Sequence, residues 1–200
     1  MSTGKPQPPT PKPDGRLLRS ERSRQLIIDA MVALIEEGNL APTAQQVADR
    51  AGVGIRSVFR HFEDMESIFT TTNEQFRGRA GPMFAKCDGD GSVAERILRS
   101  TEQRASVYET FKNMMLSGQS RRWSSPVLQK NYAKTNHLLR RNLDEWLPEL
   151  QTLPSARREA ADALTSFENW IRLRQHQGLS RKASIEVIVD MLTQLIAQTR

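Results

Sequence analysis

The chain has 200 residues, 38% of them hydrophobic, enough to bury a core in one or two domains. Its apolar runs are only a few residues long, as in Ile185-Glu186-Val187-Ile188-Val189, which excludes a membrane span of about 20. No secretory leader is expected, because Pro and polar residues rather than an apolar block accompany the basic N-terminus. A single cysteine, Cys87, excludes an intrachain disulfide and a cysteine zinc site, and fits a reducing cytoplasm. The net charge of +6 favours a polyanionic partner. It is concentrated early: residues 1–28 carry Lys5, Lys12, Arg16, Arg19, Arg22 and Arg24 against Asp14 and Glu21. Charge alone leaves both a solvated tail and nucleic-acid contact open.

Pro6, Pro8, Pro9, Pro11 and Pro13 crowd the start, so residues 1–19 read as a disordered basic arm. From Ser20 the pattern becomes helical. Ile27, Ala30, Met31, Leu34 and Ile35 lie on one face, and Gly38 ends the run. Thr43-Ala44-Gln45-Gln46 has the form of a capping box, opening a short helix that buries Val47, Ala48 and Ala51 and stops at Gly52. A third helix follows Gly54 and carries Ile55, Val58, Phe59 and Phe62. A fourth runs from near Asp64 to about Arg79, before Gly81-Pro82. Beyond a Gly/Asp loop at 88–91 the chain predicts helices over 93–117, 126–147, 155–176 and 180–198, with Pro148 and Gly178 as breaks. No segment alternates with period two, so the expected fold is all-α. Residues 20–65 would form a three-helix domain and 66–200 a second helical domain.

The sharpest signal is the spacing of Ala48, Gly52 and Val58. In a helix-turn-helix a small residue lets the helices cross closely, a glycine leaves the first helix with positive φ, and a valine fills the core between them. That set leaves Arg56, Ser57 and Arg60 facing outward, as a helix in the major groove requires. Residues 24–69 resemble the DNA-binding domain of the TetR family of bacterial regulators, through the stretch from Thr43 to Phe62 and Glu66 after it. The sequence departs from the family's habits at Gly54 (usually Ser or Thr), Arg56-Ser57 (usually Gly-Thr), Phe59 (usually Tyr) and Met65 (where a Lys is usual nearby). The expected DNA-facing residues are Thr43, Gln45, Ile55, Arg56, Ser57, Phe59, Arg60, His61 and Arg22. His61 resembles the family's phosphate-contacting histidine, and packing at the helix end is the other reading. Arg16, Arg19, Arg22 and Arg24 are expected to approach the backbone or a minor groove.

No catalytic constellation stands out: there is no Gly-rich phosphate loop, no Gly-x-Ser-x-Gly and no Cys/His pair. His61, His137 and His176 lack metal-ligand spacing, and Asp88-Gly89-Asp90-Gly91 lacks the rest of a calcium loop. Neither an enzyme nor a cofactor or metal is expected. The last helix carries two neighbouring apolar stripes, Ile185/Val189/Leu192/Ile196 and Val187/Ile188/Met191/Leu195, where a surface helix needs one. Homodimerisation through the last two helices is the expectation, with burial of both stripes within one subunit as the alternative. Tyr108, Phe111, Met115, Trp123, Trp146 and Phe167 are the candidates for an effector pocket, and ordinary core is the other reading of each. The family resemblance implies a repressor that binds a double-stranded palindromic operator and releases it when a small molecule binds. Arg104, Arg121, Arg122, Arg140, Arg141, Arg172 and Arg174 are plentiful near the aromatics, where a cation site would want carboxylates, which points to an uncharged or anionic apolar effector. An architectural DNA-binding protein without effector is the alternative.

Overall fold

The structure, a computed structural model, describes residues 15–84 and 89–197, and every regular element among them is helical. Cys87 and the Pro-rich residues 1–14 lie outside the described residues. Helix α1 spans Gly15–Glu36, five residues longer at its start than the sequence pattern predicted. Arg16, Leu17, Leu18 and Arg19 are good helix formers with no proline among them, so the helix propagates back past Ser20 without burying anything. Burial begins only at Ile27. At the other end Gly38 takes φ 100°, and the Gly38 and Asn39 amides donate to the Ile35 and Leu34 carbonyls at 2.9 and 3.0 Å, a Schellman closure.

Helix α2, Ala44–Ala51, opens on the predicted capping box: the Gln46 amide donates to Thr43 Oγ1 at 3.3 Å, and the Thr43 amide to Gln46 Oε1 at 2.9 Å. It closes as α1 does, with Gly52 at φ 66° and the Val53 amide on the Ala48 carbonyl. Helix α3 is Ile55–His61 and α4 is Met65–Ala80, the latter capped by Asp64 and Ser67 in a reciprocal pair. Ile27, Ile28, Met31, Val47, Ala48, Val58, Phe62, Ile68 and Phe69 form one core beneath α1–α4.

The remaining chain builds a second, larger core from α5 (Val93–Thr110), α7 (Pro126–Trp146), α8 (Ser155–Leu164), α9 (Phe167–Ile171, continuing as a π-helical turn over Arg172–His176) and α10 (Arg181–Ala197), with α6 (Lys112–Arg121) between the two cores. Two predicted helices are broken. The run over 93–117 divides at Phe111, with φ −112° and ψ 18°, and α6 then continues to Arg121. The run over 155–176 divides at Thr165-Ser166, where the Ser166 hydroxyl caps α9 and Thr165 Oγ1 turns back to the Ala161 carbonyl at 3.0 Å. The Thr165 carbonyl accepts from Tyr108 Oη at 2.8 Å and Arg104 Nη1 at 3.5 Å. Arg104 also donates to the Leu139 carbonyl at 2.5 Å while only 3% exposed. One arginine thus ties α5 to α7 and to the α8–α9 break.

Among the described residues no helix is long and apolar enough to cross a membrane. The cap at Thr43 sets the α2 entry, and its loss has a known scale. Thr43→Ala is expected to lower stability by about 1 kcal/mol, read as a shifted denaturant midpoint with an unchanged slope.

Candidate nucleic-acid interface and helical cavity

Helices α2 and α3 meet at Ala48 and Val58, both fully buried, so the inward faces are fixed by packing. The opposite side of α3 presents Ile55, Arg56, Phe59 and Arg60, with Phe59 47% exposed. Ser57 is half-buried, and its hydroxyl accepts from Arg60 Nη2 at 3.0 Å, so it positions Arg60 rather than standing outermost. Thr43 and Gln45 are exposed at the start of α2. Thr43 is engaged in its cap, and Gln45 Nε2 donates to Asp49 at 2.7 Å. Arg22 is exposed on α1. Arg24 departs from expectation. Its guanidinium lies over the Phe62 ring at 4.8 Å and reaches Thr71 Oγ1 at 3.5 Å, so it packs α1 onto α3 and α4.

The exposed first turns of α1 and the end of α3 form a groove of about 580 Å³ lined by Arg16, Leu17, Arg19, Ser20, Ser23, Arg60 and His61. Cations on two elements facing one groove suit a phosphate backbone. Burial, then the charges of Arg60 and Arg24, pushes the His61 pKa below its ordinary 6.5, with Glu21 opposing. Its Nε2 is buried with no hydrogen-bond partner. The ring packs against the helix end, the second of the two sequence readings, and also lines the groove.

A second concavity, of about 320 Å³, lies between α4, α5, α6 and α7. Tyr108 and Met115 line it, with Phe76, Phe84, Val107, Leu138 and Leu139. An adjoining lobe of about 80 Å³ is lined by Met115 and Phe167, and shares Phe76, Arg77, Thr135 and Leu139 with the first. Three of the six aromatic and Met candidates are thus brought together. Phe111 sits behind the wall, edge-on to Phe76 at 5.0 Å. Trp146 belongs to the larger core, and Trp123 is 77% exposed, stacked on Arg122 at 4.6 Å. Sequence reasoning missed Phe76 and Arg77 on α4 and the α7 stripe Thr135, Leu138, Leu139 and Asn142. The stripe's i, i+3, i+4, i+7 spacing was the available signal.

Residues 27–71 match the family model described as bacterial regulatory proteins, tetR family. Over those residues the chain carries a TetR-family DNA-binding domain. Its fold is similar to that of a transcriptional regulator from Rhodococcus sp. Rha1, at TM-score 0.66 and 18% identity over 90% of this chain and 96% of that one. It is also similar to a TetR transcription regulator from Haloarcula marismortui, at TM-score 0.62 and 12% identity over 89% and 98%. No curated protein matches the chain in sequence.

The structure shows how the departures from TetR habit are absorbed. Gly54 caps α3 through its carbonyl alone, accepting from the Ser57 and Val58 amides at 2.8 and 3.3 Å. Phe59 keeps its outward position without a hydroxyl, while Arg56 supplies a longer donor beside it. Replacing Arg56 and Arg60 together with Ala is expected to weaken binding to the preferred duplex by about 1–3 kcal/mol per lost base contact, and to lower the salt slope by about 0.9 per lost phosphate contact. Fluorescence anisotropy at several salt concentrations separates the two; unchanged affinity would contradict the assignment. His61 provides a pH test. Folding lowers its pKa, so below about 6.5 the unfolded chain binds more protons and stability falls with pH. His61→Asn is expected to flatten that acid limb in denaturant titrations between pH 5 and 7.

Proposed function

We propose that this TetR-family regulator is a cytoplasmic repressor that binds a palindromic operator as a homodimer and releases it when a small molecule fills the helical cavity. The observation that carries the reading is the position of α6. On one side Met115 lines the cavity, and Gly118 and Gln119 line its adjoining lobe. On the other, Met114 is buried in the N-terminal core, Asn113 donates to the Glu36 carbonyl at 2.9 Å, and Ser117 donates to the Leu40 carbonyl at 2.5 Å. A molecule that displaces α6 therefore displaces the end of α1, and with it the platform carrying α2 and α3. Release follows if the ligand binds one arrangement of α6 more tightly than the other.

Dimerisation through α8 and α10 is supported by what α10 leaves uncovered. Ile185, Ile188 and Leu192 are buried within the chain, against α5 and α8. Val187 and Met191 remain 39% and 40% exposed, on the second stripe. A twofold pairing of this face with its copy covers them and sets two α3 helices on one side of the dimer. Successive major grooves lie about 34–36 Å apart, which is the separation the pair must reach.

Met191→Glu is expected to convert a dimer to monomers in light scattering. A palindrome should then lose its affinity advantage over an isolated half-site. A dimer that persists with normal binding would move the interface elsewhere, and equal affinity of the unaltered protein for random and palindromic duplexes would favour an architectural role.

A further inference from the structure

We infer that the cavity takes an amphipathic monocarboxylate, its apolar body among Phe76, Phe84, Val107 and Leu138 and its carboxylate between Arg77 and Arg141. This rests on the effector reading above and deepens it. The cavity's walls are mostly hydrocarbon and aromatic, and the Tyr108 hydroxyl is turned away to the Thr165 carbonyl, so that residue offers only its ring. The volume of about 320 Å³ lies at the low end of small-molecule sites, and the adjoining lobe extends it past Met115 toward Phe167.

The charged lining decides the ligand's polar end. Arg77 lines it from α4 and the exposed Arg141 from α7, against one carboxylate, the exposed Glu145. Arg77 has an ion contact of 4.0 Å with Glu74, an exposed neighbour on its own helix, which is a weak competitor. Arg141 makes no ion pair among the described residues. Guanidinium groups bind carboxylates with two parallel hydrogen bonds, so an incoming carboxylate displaces the Arg77 contact readily. Asn142 adds a polar side chain to the same lining.

A cationic ligand meets in the main cavity only the exposed Glu145, beside two arginines. The acid in the smaller lobe, Glu168, is already satisfied: it accepts from Tyr132 Oη and from Gln119 Nε2 at 2.6 Å, and lies 3.7 Å from Arg122. Freeing it for a ligand cation costs three contacts.

The test is calorimetric titration of the full chain with decanoate, decan-1-ol and decyltrimethylammonium, below micellar concentrations, without DNA. Decanoate is expected to bind at least about tenfold tighter than either isostere, the scale of a hydrogen bond to a charged group. Arg77→Gln with Arg141→Gln should remove that advantage while leaving decan-1-ol affinity unchanged, which also reports an intact cavity. Equal or tighter binding of the alcohol or the cation, no binding of decanoate, or full decanoate affinity in the double variant would overturn the inference. A parallel DNA-release assay separates the two readings. Decanoate that binds through the arginines but leaves the DNA complex intact upholds the ligand class and removes the effector role. DNA release by decan-1-ol alone upholds the effector role and removes the carboxylate.

Discussion

Met114 and Leu128 follow the first domain in the chain, yet both are buried in its core. That seam joins the two cores of the molecule. Two apolar side chains from the second half complete the packing of the first, and backbone carbonyls at the end of α1 are held by α6 side chains. Arg121 adds a guanidinium over Phe69 at 5.1 Å, and the Ser125 hydroxyl donates to Glu66. Burying an apolar side chain of this size is worth about 1.5–3 kcal/mol, so the halves cannot separate freely. The N-terminal core is therefore packed onto α6 rather than standing apart from it.

The same helix is a wall of the cavity, which α4 and α7 also line while their other faces are committed elsewhere. Helix α4 gives Ile68 and Phe69 to the first core and Ala80 to the cluster around Phe111. Helix α7 gives Leu143 and Trp146 to the second core. Arg104 stiffens the far wall. A buried cation is costly unless it is well hydrogen-bonded, and its two carbonyl partners lie on α7 and at the α8–α9 break. The cavity-lining residues Tyr108 and Leu139 flank this staple directly, so the cavity borders both the seam toward α1–α4 and the elements beneath the exposed face of α10.

What could be read from the sequence was whatever local chemistry determines. The capping box at Thr43, the positive-φ closures at Gly38 and Gly52 and the inward Val58 are written in consecutive residues, and they stand where the spacing placed them. The breaks at Phe111 and Thr165 were not legible, because neither holds a Gly or Pro. Tertiary bonds from Arg104 and Tyr108 engage the second of them. Trp123 shows the limit of composition: large aromatics were grouped by abundance, but exposure depends on which neighbour arrives, and here it is Arg122. The helical start of α1 was hidden by the prolines before it. Arg24 was read as part of a basic arm because charge reveals nothing of the Phe62 ring beneath it.

The central claim is that α3 reads base sequence, presented twice by a twofold dimer and backed by a rigid helical core. Its most direct measurement is selection of bound duplexes from a random pool by the full chain, followed by sequencing. An inverted repeat is expected, its half-site centres separated by a whole number of helical turns, about 10–10.5 base pairs each. A pool that stays random through successive rounds, or that converges on a single asymmetric site, would contradict it.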